Sequence, residues 1–358
     1  DESAGMYAKN SNATNKKKIT IEGKKSAGIL VEMKQGLTPV LRNISGTNEI
    51  ADNSSDIVNG LIEIKDKESA GMYGIVDNSV TEVNSTLTLL NKKTINIDSK
   101  SSVGMMLINN SAAITKEKVK AENTGTITLS SAIASDNKNI GILVSKKATG
   151  INNGSINVNT LESVGMLGQN ASSIINNKTI TLSGEKGVGM LAKDTDSVAD
   201  NRNAINVNGK ESSGMLAQDS GKVENNKNIN VKAEKGVGIF VSDTGTGENV
   251  GADGKITLMN KNAVGIFAQN NGNTYTAKNS GTIILGKEDG TTVHESLIGM
   301  FVQAEAGKIA SVKNETAGII NVNTKKSVGM YAKNDASNNV IAADLHNIGI
   351  ININNQGS

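Results

Sequence analysis

Several residue types are absent or rare in this chain of 358 residues. It contains no cysteine, no tryptophan, one proline (Pro39), and only three phenylalanines and four tyrosines. The lack of cysteine excludes disulfide bonds, which suits a chain exported unfolded, because early disulfides would block passage through a narrow pore. The few aromatic rings exclude a stacking platform for single-stranded nucleic acid. Composition therefore favours a secreted protein.

The charge of the chain is nearly balanced. There are 37 basic and 35 acidic residues, and only two of the basic residues are arginines, Arg42 and Arg202. Nucleic-acid binding needs a basic stripe along the phosphates, which this composition does not supply. We therefore expect no nucleic-acid partner.

No apolar run approaches the ~20 residues of a membrane-spanning helix, and no signal peptide opens the chain.

A six-residue phrase recurs twelve times: a small residue, Gly, Met or Ile, a large apolar residue, and usually Ala or Val. It reads SAGMYA at Ser3 to Ala8 and SVGMYA at Ser327 to Ala332. From Gly141 to Gly238 the Gly-to-Gly spacings are 24, 24, 25 and 24 residues. Self-similarity at such a period is the signature of a solenoid.

A second phrase, with two apolar residues around one polar residue, usually ends seven residues before the Gly, as in Ile205/Val207 before Gly214. This alternation is typical of a half-buried strand. A weaker apolar position between the two phrases indicates a third strand in each unit. Because Asn bonds its own chain at turns, stacked Asn residues are expected to form a ladder. The Asn residues found four positions before the second phrase are Asn15, Asn91, Asn123, Asn152, Asn176, Asn201, Asn225, Asn279 and Asn347.

These patterns predict an all-β parallel β-helix with three short strands per coil and about 12 coils of about 24 residues, with loop insertions. Helical or leucine-rich repeats would show other apolar spacings, and neither is found. We expect residues 1–358 to form a single β-helix segment of a longer protein, because neither end carries a capping repeat. The recurring Gly is predicted to be structural, because close coil packing excludes a side chain there. This prediction covers Gly28, Gly71, Gly104, Gly165, Gly189, Gly214, Gly238, Gly265 and Gly329.

Departures from the repeat are where a solenoid can carry specificity, because loops tolerate extra length. The largest predicted insertion, residues 35–59, holds Pro39 and Arg42 and is the candidate binding loop, since Arg suits bidentate carboxylate contacts. The alternative is that the insertions are neutral and the segment is a stalk that binds nothing. Further insertions are predicted near residues 77–91, 109–122, 130–138, 286–296, 305–315 and 334–346.

The residue two positions after each Gly is large and apolar, as in Leu30, Tyr73, Phe240 and Phe267. Two interpretations are open. If strand alternation runs unbroken through the Gly, this column faces outward and marks an interaction surface. If the Gly bends the chain, this column and its neighbours are both buried.

Catalytic and metal-binding patterns are weak. Asp194 and Asp196 lack the further carboxylates that calcium sites gather, and GVGMLA at Gly187 to Ala192 is only a copy of the repeat. We therefore expect no catalytic residue, cofactor or metal. The alternative is a β-helix polysaccharide-cleaving enzyme, which an acidic cluster aligned over adjacent coils would favour.

The phrases SAGMYAKN at Ser3 to Asn10, SVGMLGQN at Ser163 to Asn170 and SVGMYAKN at Ser327 to Asn334 alternate with N-x-x-x-I-x-[VIL]. In this the chain resembles the passenger domains of large fusobacterial type V autotransporter adhesins, such as the arginine-inhibitable and galactose-inhibitable ones. The resemblance covers essentially the whole chain and implies a right-handed parallel β-helix at the cell surface. The chain departs from that family by lacking the signal peptide and the C-terminal membrane barrel.

The resemblance implies a non-catalytic adhesin, a virulence-associated outer-membrane protein that mediates coaggregation and host-cell attachment. Its partners would be a protein or glycan on another bacterium or on a host cell, and membrane attachment would come only through the missing barrel. We expect the segment itself to be a monomeric rod.

Overall fold

The computed structural model describes residues 3–34, 40–43, 60–130, 137–272, 274–287, 294–334 and 342–354; of 40–43 it describes only the backbone. The chain divides into two compact units, Asp1–Lys178 and Thr179–Ser358. Among the described residues, short strands make up nearly all the regular structure, and the one helix is the 3-10 turn Lys116–Lys118. No helix in these ranges is both long and apolar enough to span a membrane.

The first unit contains strands β1 to β17. Their bounds are β1 Ala4–Lys9, β2 Ala13–Asn15, β3 Ile19–Ile21, β4 Ala27–Met33, β5 Val40–Asn43, β6 Ile62–Ile64, β7 Ala70–Val76, β8 Leu87–Asn91, β9 Thr94–Ile97, β10 Val103–Asn109, β11 Val119–Asn123, β12 Thr126–Leu129, β13 Ile140–Ser145, β14 Thr149–Asn152, β15 Ser155–Val158, β16 Val164–Gln169 and β17 Ser173–Asn176.

The second unit contains strands β18 to β36. Their bounds are β18 Ile180–Leu182, β19 Val188–Lys193, β20 Val198–Asn201, β21 Ala204–Val207, β22 Ser213–Gln218, β23 Lys222–Asn225, β24 Asn228–Val231, β25 Val237–Ser242, β26 Thr246–Asn249, β27 Lys255–Leu258, β28 Val264–Gln269, β29 Ala277–Asn279, β30 Thr282–Leu285, β31 Ile298–Ala304, β32 Ala310–Asn314, β33 Ile319–Val322, β34 Val328–Asn334, β35 Ala343–Asn347 and β36 Ile350–Ile353.

The strands recur in threes and pair only with their equivalents one coil away. We call the strands that carry the Gly phrase sheet A, those that end in Asn sheet B, and those that carry the Ile-x-Val phrase sheet C. Neighbouring strands in each unit are parallel and in register, as in β1 with β4 and β19 with β22. The described residues contain 12 strands of each kind. This architecture is a right-handed parallel β-helix, and the predicted fold class is confirmed.

Sheet C supplies one regular column of the core. Ile205 pairs in register with Ile180 before it and Ile229 after it, and all three side chains are fully buried. The polar residue between the two apolar positions faces outward, as half-exposed Asn206 does. Each coil therefore buries its Ile-x-Val pair by stacking on neighbouring coils, because one coil alone cannot enclose an apolar core.

The predicted Asn ladder is present inside both units, at the turn that follows sheet B. In the first unit, Asn91 Nδ2 donates to Asn123 Oδ1 at 2.7 Å and Asn123 Nδ2 donates to Asn152 Oδ1 at 2.9 Å. In the second unit, Asn201 donates to Asn225 at 2.7 Å and Asn225 donates to Asn249 at 2.8 Å. These amides are fully buried, and each is satisfied by the next coil together with a carbonyl of its own turn, as Asn225 Nδ2 is by the Lys227 carbonyl at 2.8 Å.

Coils approach each other closely at the Gly of the repeated phrase. A Cβ atom built on Gly189 would lie 2.5 Å from the carbonyl oxygen of Gly214 and 3.0 Å from Ile205 Cγ2. Real Cβ atoms do not approach a backbone oxygen so closely, so any side chain here would push two coils apart. The same collision with the next Gly carbonyl, at 2.5 to 2.7 Å, occurs at Gly28, Gly71, Gly104, Gly214 and Gly238.

The insertions are shorter than the sequence spacing suggested, because several contain a strand of sheet B. Residues 40–43 form β5, so the predicted loop 35–59 is two segments, 35–39 and 44–59, which lie outside the described residues. The ranges that overlap other sheet B strands are 77–91 with β8, 109–122 with β11, 305–315 with β32 and 334–346 with β35. Three further stretches also lie outside the described residues: 131–136 in the predicted insertion 130–138, 288–293 in 286–296, and 335–341 in 334–346.

Candidate functional site

The apolar column of sheet A faces outward. Phe240 is half-exposed, whereas its neighbours Ile239 and Val241 are fully buried. The interpretation in which both columns are buried is therefore wrong for most coils, although Leu143 and Leu167 are only 9% exposed. We call this column the apolar stripe. It comprises Tyr7, Leu30, Tyr73, Met106, Leu143 and Leu167 in the first unit, and Leu191, Leu216, Phe240, Phe267, Phe301 and Tyr331 in the second.

Four aromatic rings stack along the stripe in the second unit. The ring centroids of Phe240 and Phe267 are 4.8 Å apart with planes 5° from parallel, and Phe267 and Phe301 are 4.8 Å apart at 12°. Phe301 and Tyr331 follow at 5.4 Å and 19°. Because in-register strands repeat at about 4.8 Å, identical positions place their rings face to face. The ring edges, and not the ring faces, are left toward the surroundings.

In the first unit the stripe borders a groove of about 460 Å³. The residues that line it include Ala27, Ala70 and Tyr73. Lys25 and Glu68 also line it, at turn positions with positive φ. Burial raises the pKa of the Tyr73 phenol, so this hydroxyl stays neutral and able to donate a hydrogen bond. The lining of the groove therefore combines apolar side chains with charged ones.

Sheet B carries an acidic column on its outer face in the second unit. Asp200, Glu224 and Glu248 occupy the same register position on three successive coils. Such an alignment is the feature that would favour a polysaccharide-cleaving enzyme.

Each acidic side chain of this column has a local partner. Arg202 Nε lies 2.6 Å from Asp200 Oδ2, Lys222 Nζ lies 2.6 Å from Glu224 Oε1, and Ser280 Oγ donates to Glu248 Oε1 at 2.7 Å. Within the described parts of the chain, no group of three or more His, Cys, Asp or Glu side chains could hold a metal ion.

The predicted binding residues fall in different places. Arg42 lies in β5, in register with Thr14 and Leu90, and Pro39 lies outside the described residues. The structure therefore shows Arg42 in a coil strand, where the sequence suggested a loop. Whether this part of the chain binds a partner stays a prediction.

Sequence reasoning missed a polar cluster around Tyr275. The Tyr275 hydroxyl donates to Asp344, two coils further on, and its ring centroid lies 5.4 Å from that of His346. The hydrogen bond to Asp344 raises the pKa of Tyr275. The φ angle of Tyr275 is +52°, a left-handed conformation that is strained for a bulky residue. Only an aromatic residue in an Asn-rich departure from the repeat could have indicated this position.

These observations define the class of the protein, a parallel β-helix with a repeated interior and an outer surface that changes from coil to coil. The family model described as the BigA third pectate lyase-like domain matches residues 82–204 and again residues 189–318. The two matches together span well over half of the chain, which therefore belongs to this family. It is a family of bacterial adhesin-like and autotransporter-like surface proteins, in which "pectate lyase-like" describes the fold. No curated protein and no solved structure matches the chain.

Proposed function

We propose that this chain is the non-catalytic passenger of an outer-membrane autotransporter adhesin of the fusobacterial type. It binds a protein or glycan on a partner bacterium or a host cell and so mediates coaggregation and attachment. The observation that carries this proposal is the contrast between the buried and the outward-facing residue columns of the coils. The buried columns repeat almost unchanged, whereas outward columns change from carboxylates at Asp200, Glu224 and Glu248 to lysines at Lys278 and Lys313.

A repeated core cannot distinguish partners, because every coil presents the same buried groups. Recognition therefore depends on outward side chains and on segments that leave the coil, as surface loops do in other scaffolds. Residues 35–59 remain the candidate binding region, and residues 44–59, between β5 and β6 in the sequence, are its longest part.

The proposal is tested by adding the purified 358-residue chain, fluorescently labelled, to intact partner bacteria and to host cells. We expect saturable binding and a dose-dependent block of coaggregation by unlabelled chain. The chain heated until its far-UV circular dichroism is lost serves as the control. If the folded chain neither binds cells nor blocks coaggregation, the segment acts only as a stalk.

The acidic column favours a second candidate, polysaccharide cleavage. A general acid and a general base must flank the scissile bond, and carboxylates on adjacent coils could supply both. Incubation with acidic and neutral polysaccharides, followed by assay of new reducing ends, tests this directly. Product formed by the unchanged chain and lost in Glu224→Gln would establish the enzyme; with no product from either, the adhesin proposal stands.

A further inference from the structure

The groove beside the apolar stripe in the first unit has the size of a small-molecule site. Its volume of about 460 Å³ lies within the ~300–1,000 Å³ that is typical of such sites. The apolar residues that line it are Ala27, Leu30, Ala70, Tyr73, Val103 and Met106. Contact of water with apolar side chains is unfavourable, so a ligand with an apolar part gains by displacing that water.

Two of these lining residues are smaller than their equivalents in the following coils. Ala27 and Ala70 lie in register on adjacent coils, at the first position of strands β4 and β7. At the same position the next three coils of the first unit carry Val103, Ile140 and Val164. Because both alanines line the groove, a valine at either position would take up part of its volume. The groove therefore coincides with a departure from the repeat.

Two opposite charges line the same groove. Lys25 and Glu68 lie two positions before the alanines, so they are on adjacent coils, about 4.8 Å apart along the coil axis. Both are exposed, and within the part of the chain that the structure describes neither has an ion-pair partner. In the second unit, Glu211 and Lys235 occupy the same turn position on adjacent coils and are paired, with Nζ 3.2 Å from Oε1. The two charges at the groove are therefore free to contact a ligand.

The two serines that follow these charged residues have their hydroxyl groups engaged. Ser26 Oγ and Ser69 Oγ donate to main-chain carbonyls at 3.1 and 3.0 Å. The charges of Lys25 and Glu68 therefore select the ligand. A simple anion would be attracted by the lysine and repelled by the glutamate, and the reverse holds for a simple cation. A ligand that carries both charges close together is attracted by both residues.

An α-amino acid carries an ammonium and a carboxylate on one carbon, and its side chain can supply the apolar part. We propose that this groove binds a free α-amino acid with a large apolar side chain, with its carboxylate on Lys25, its ammonium on Glu68 and its side chain against the two alanines. This small-molecule site goes beyond the proposed adhesion and does not depend on it. Exposed ion pairs contribute little, so we expect a Kd on the order of 1 mM.

The ligand class is tested with L-phenylalanine, titrated up to about 30 mM into the full chain and followed by ligand-observed NMR. Two further probes separate the requirements. Glycine keeps both charges but has no side chain, whereas N-acetyl-L-phenylalanine amide keeps the side chain and has neither charge. We expect each of these to bind at least about 10-fold more weakly than phenylalanine. Absence of phenylalanine binding, or equal binding by either probe, overturns the proposal.

The apolar part of the site is tested with the double variant Ala27→Val, Ala70→Val. Valine occupies the same register position at Val103, so the strands accept it there. We expect phenylalanine to bind this variant at least about 10-fold more weakly, with unchanged β-sheet circular dichroism and Tm. A folded valine variant that binds phenylalanine as the unchanged chain does would contradict the proposal.

The charged part is tested with the double variant Lys25→Gln, Glu68→Gln, which should also weaken phenylalanine binding by about 10-fold. The matched control is Glu211→Gln, Lys235→Gln, which removes the same two charges from the same turn position in the second unit. The control should bind phenylalanine like the unchanged chain. Equal losses in the two variants would refute the site. A chain that does not bind phenylalanine, but whose valine variant loses cell binding, would assign the groove to a macromolecular partner and also contradict the proposal.

Discussion

Replacing Asn225 should break the polar ladder inside the second unit. The Asn225 amide is fully buried, accepts from Asn201 at 2.7 Å and donates to Asn249 Oδ1 and to the Lys227 carbonyl, each at 2.8 Å. Asn225→Ala removes these three hydrogen bonds and a longer one to the Lys255 carbonyl at 3.5 Å, and it leaves the Asn249 oxygen without this donor. Each net hydrogen bond contributes about 1 kcal/mol, and an orphaned buried group costs about 1–3 kcal/mol. We therefore expect a loss of about 3–5 kcal/mol.

The matched control for this variant is Asn230→Ala. Asn230 donates to Asn206 Oδ1 at 3.0 Å, but it is half-exposed, so water can replace the lost partner. Its expected cost is under about 1 kcal/mol. Thermal unfolding followed by far-UV circular dichroism should show a Tm lower by roughly 6–20 °C for Asn225→Ala, and by a few degrees for Asn230→Ala. Equal Tm losses in the two variants would refute the ladder as a source of stability.

A third variant, Asn225→Asp, separates hydrogen bonding from side-chain volume. The carboxylate keeps the shape of Asn but faces the Asn249 oxygen with two acceptors and no donor. Burial raises the pKa of such a carboxyl, so its destabilising effect is present above that pKa and is relieved as the pH falls. We expect the Tm difference between this variant and the unchanged chain to shrink from pH 7 to pH 4. A difference that is independent of pH would argue for a packing effect alone.

Three further changes test the core, the coil contact and the surface charges. Ile205→Asp places an unpaired charge in the buried sheet C column and should cost several kcal/mol; an unchanged Tm would contradict the register. Gly189→Val forces a side chain against the Gly214 carbonyl and should lower the Tm, whereas normal folding with loss of a ligand would make this Gly a binding residue. Hydrogen bonds from neighbouring lysines lower the pKa of Glu32 and Glu211, so these carboxylates stabilise the fold above their unfolded pKa and lose that contribution as pH falls. The Tm advantage of the unchanged chain over the double variant Glu32→Gln, Glu211→Gln should therefore vanish near pH 3, and its persistence there would count against these pairs.

Much of the fold could be predicted from the sequence because stacking imposes the same requirement on every coil. Apolar pairs such as Ile205/Val207 recur because each must pack on its equivalents, and the Gly recurs because coils approach closely there. The ladder was incomplete in the sequence, since Asn249 and Asn314 are members that the four-residue spacing missed. In these two coils the turn between the sheet B and sheet C strands is longer. This lengthens the sequence spacing from the Asn to the Ile-x-Val phrase, but the Asn keeps its place at the end of the sheet B strand.

Outward features were harder to predict. The direction of the apolar stripe depends on how the backbone passes the Gly, and alternation alone allowed two answers. Strand β5 was missed because residues on both sides of it lengthen the coil and conceal its period. The cluster of Tyr275 with Asp344 joins residues two coils apart, a contact that no local pattern encodes.

We propose that the repeated coil interior builds the fold, whereas residues 44–59, between β5 and β6 in the sequence, bind the partner. Replacing residues 35–59 would also delete β5, so the direct test replaces only residues 44–59 with a short Gly/Asn turn. The measurement is binding of this variant to intact partner cells, with circular dichroism and Tm recorded on the same sample. We expect unchanged β-sheet content and Tm together with loss of cell binding. Full cell binding by the folded variant would contradict it.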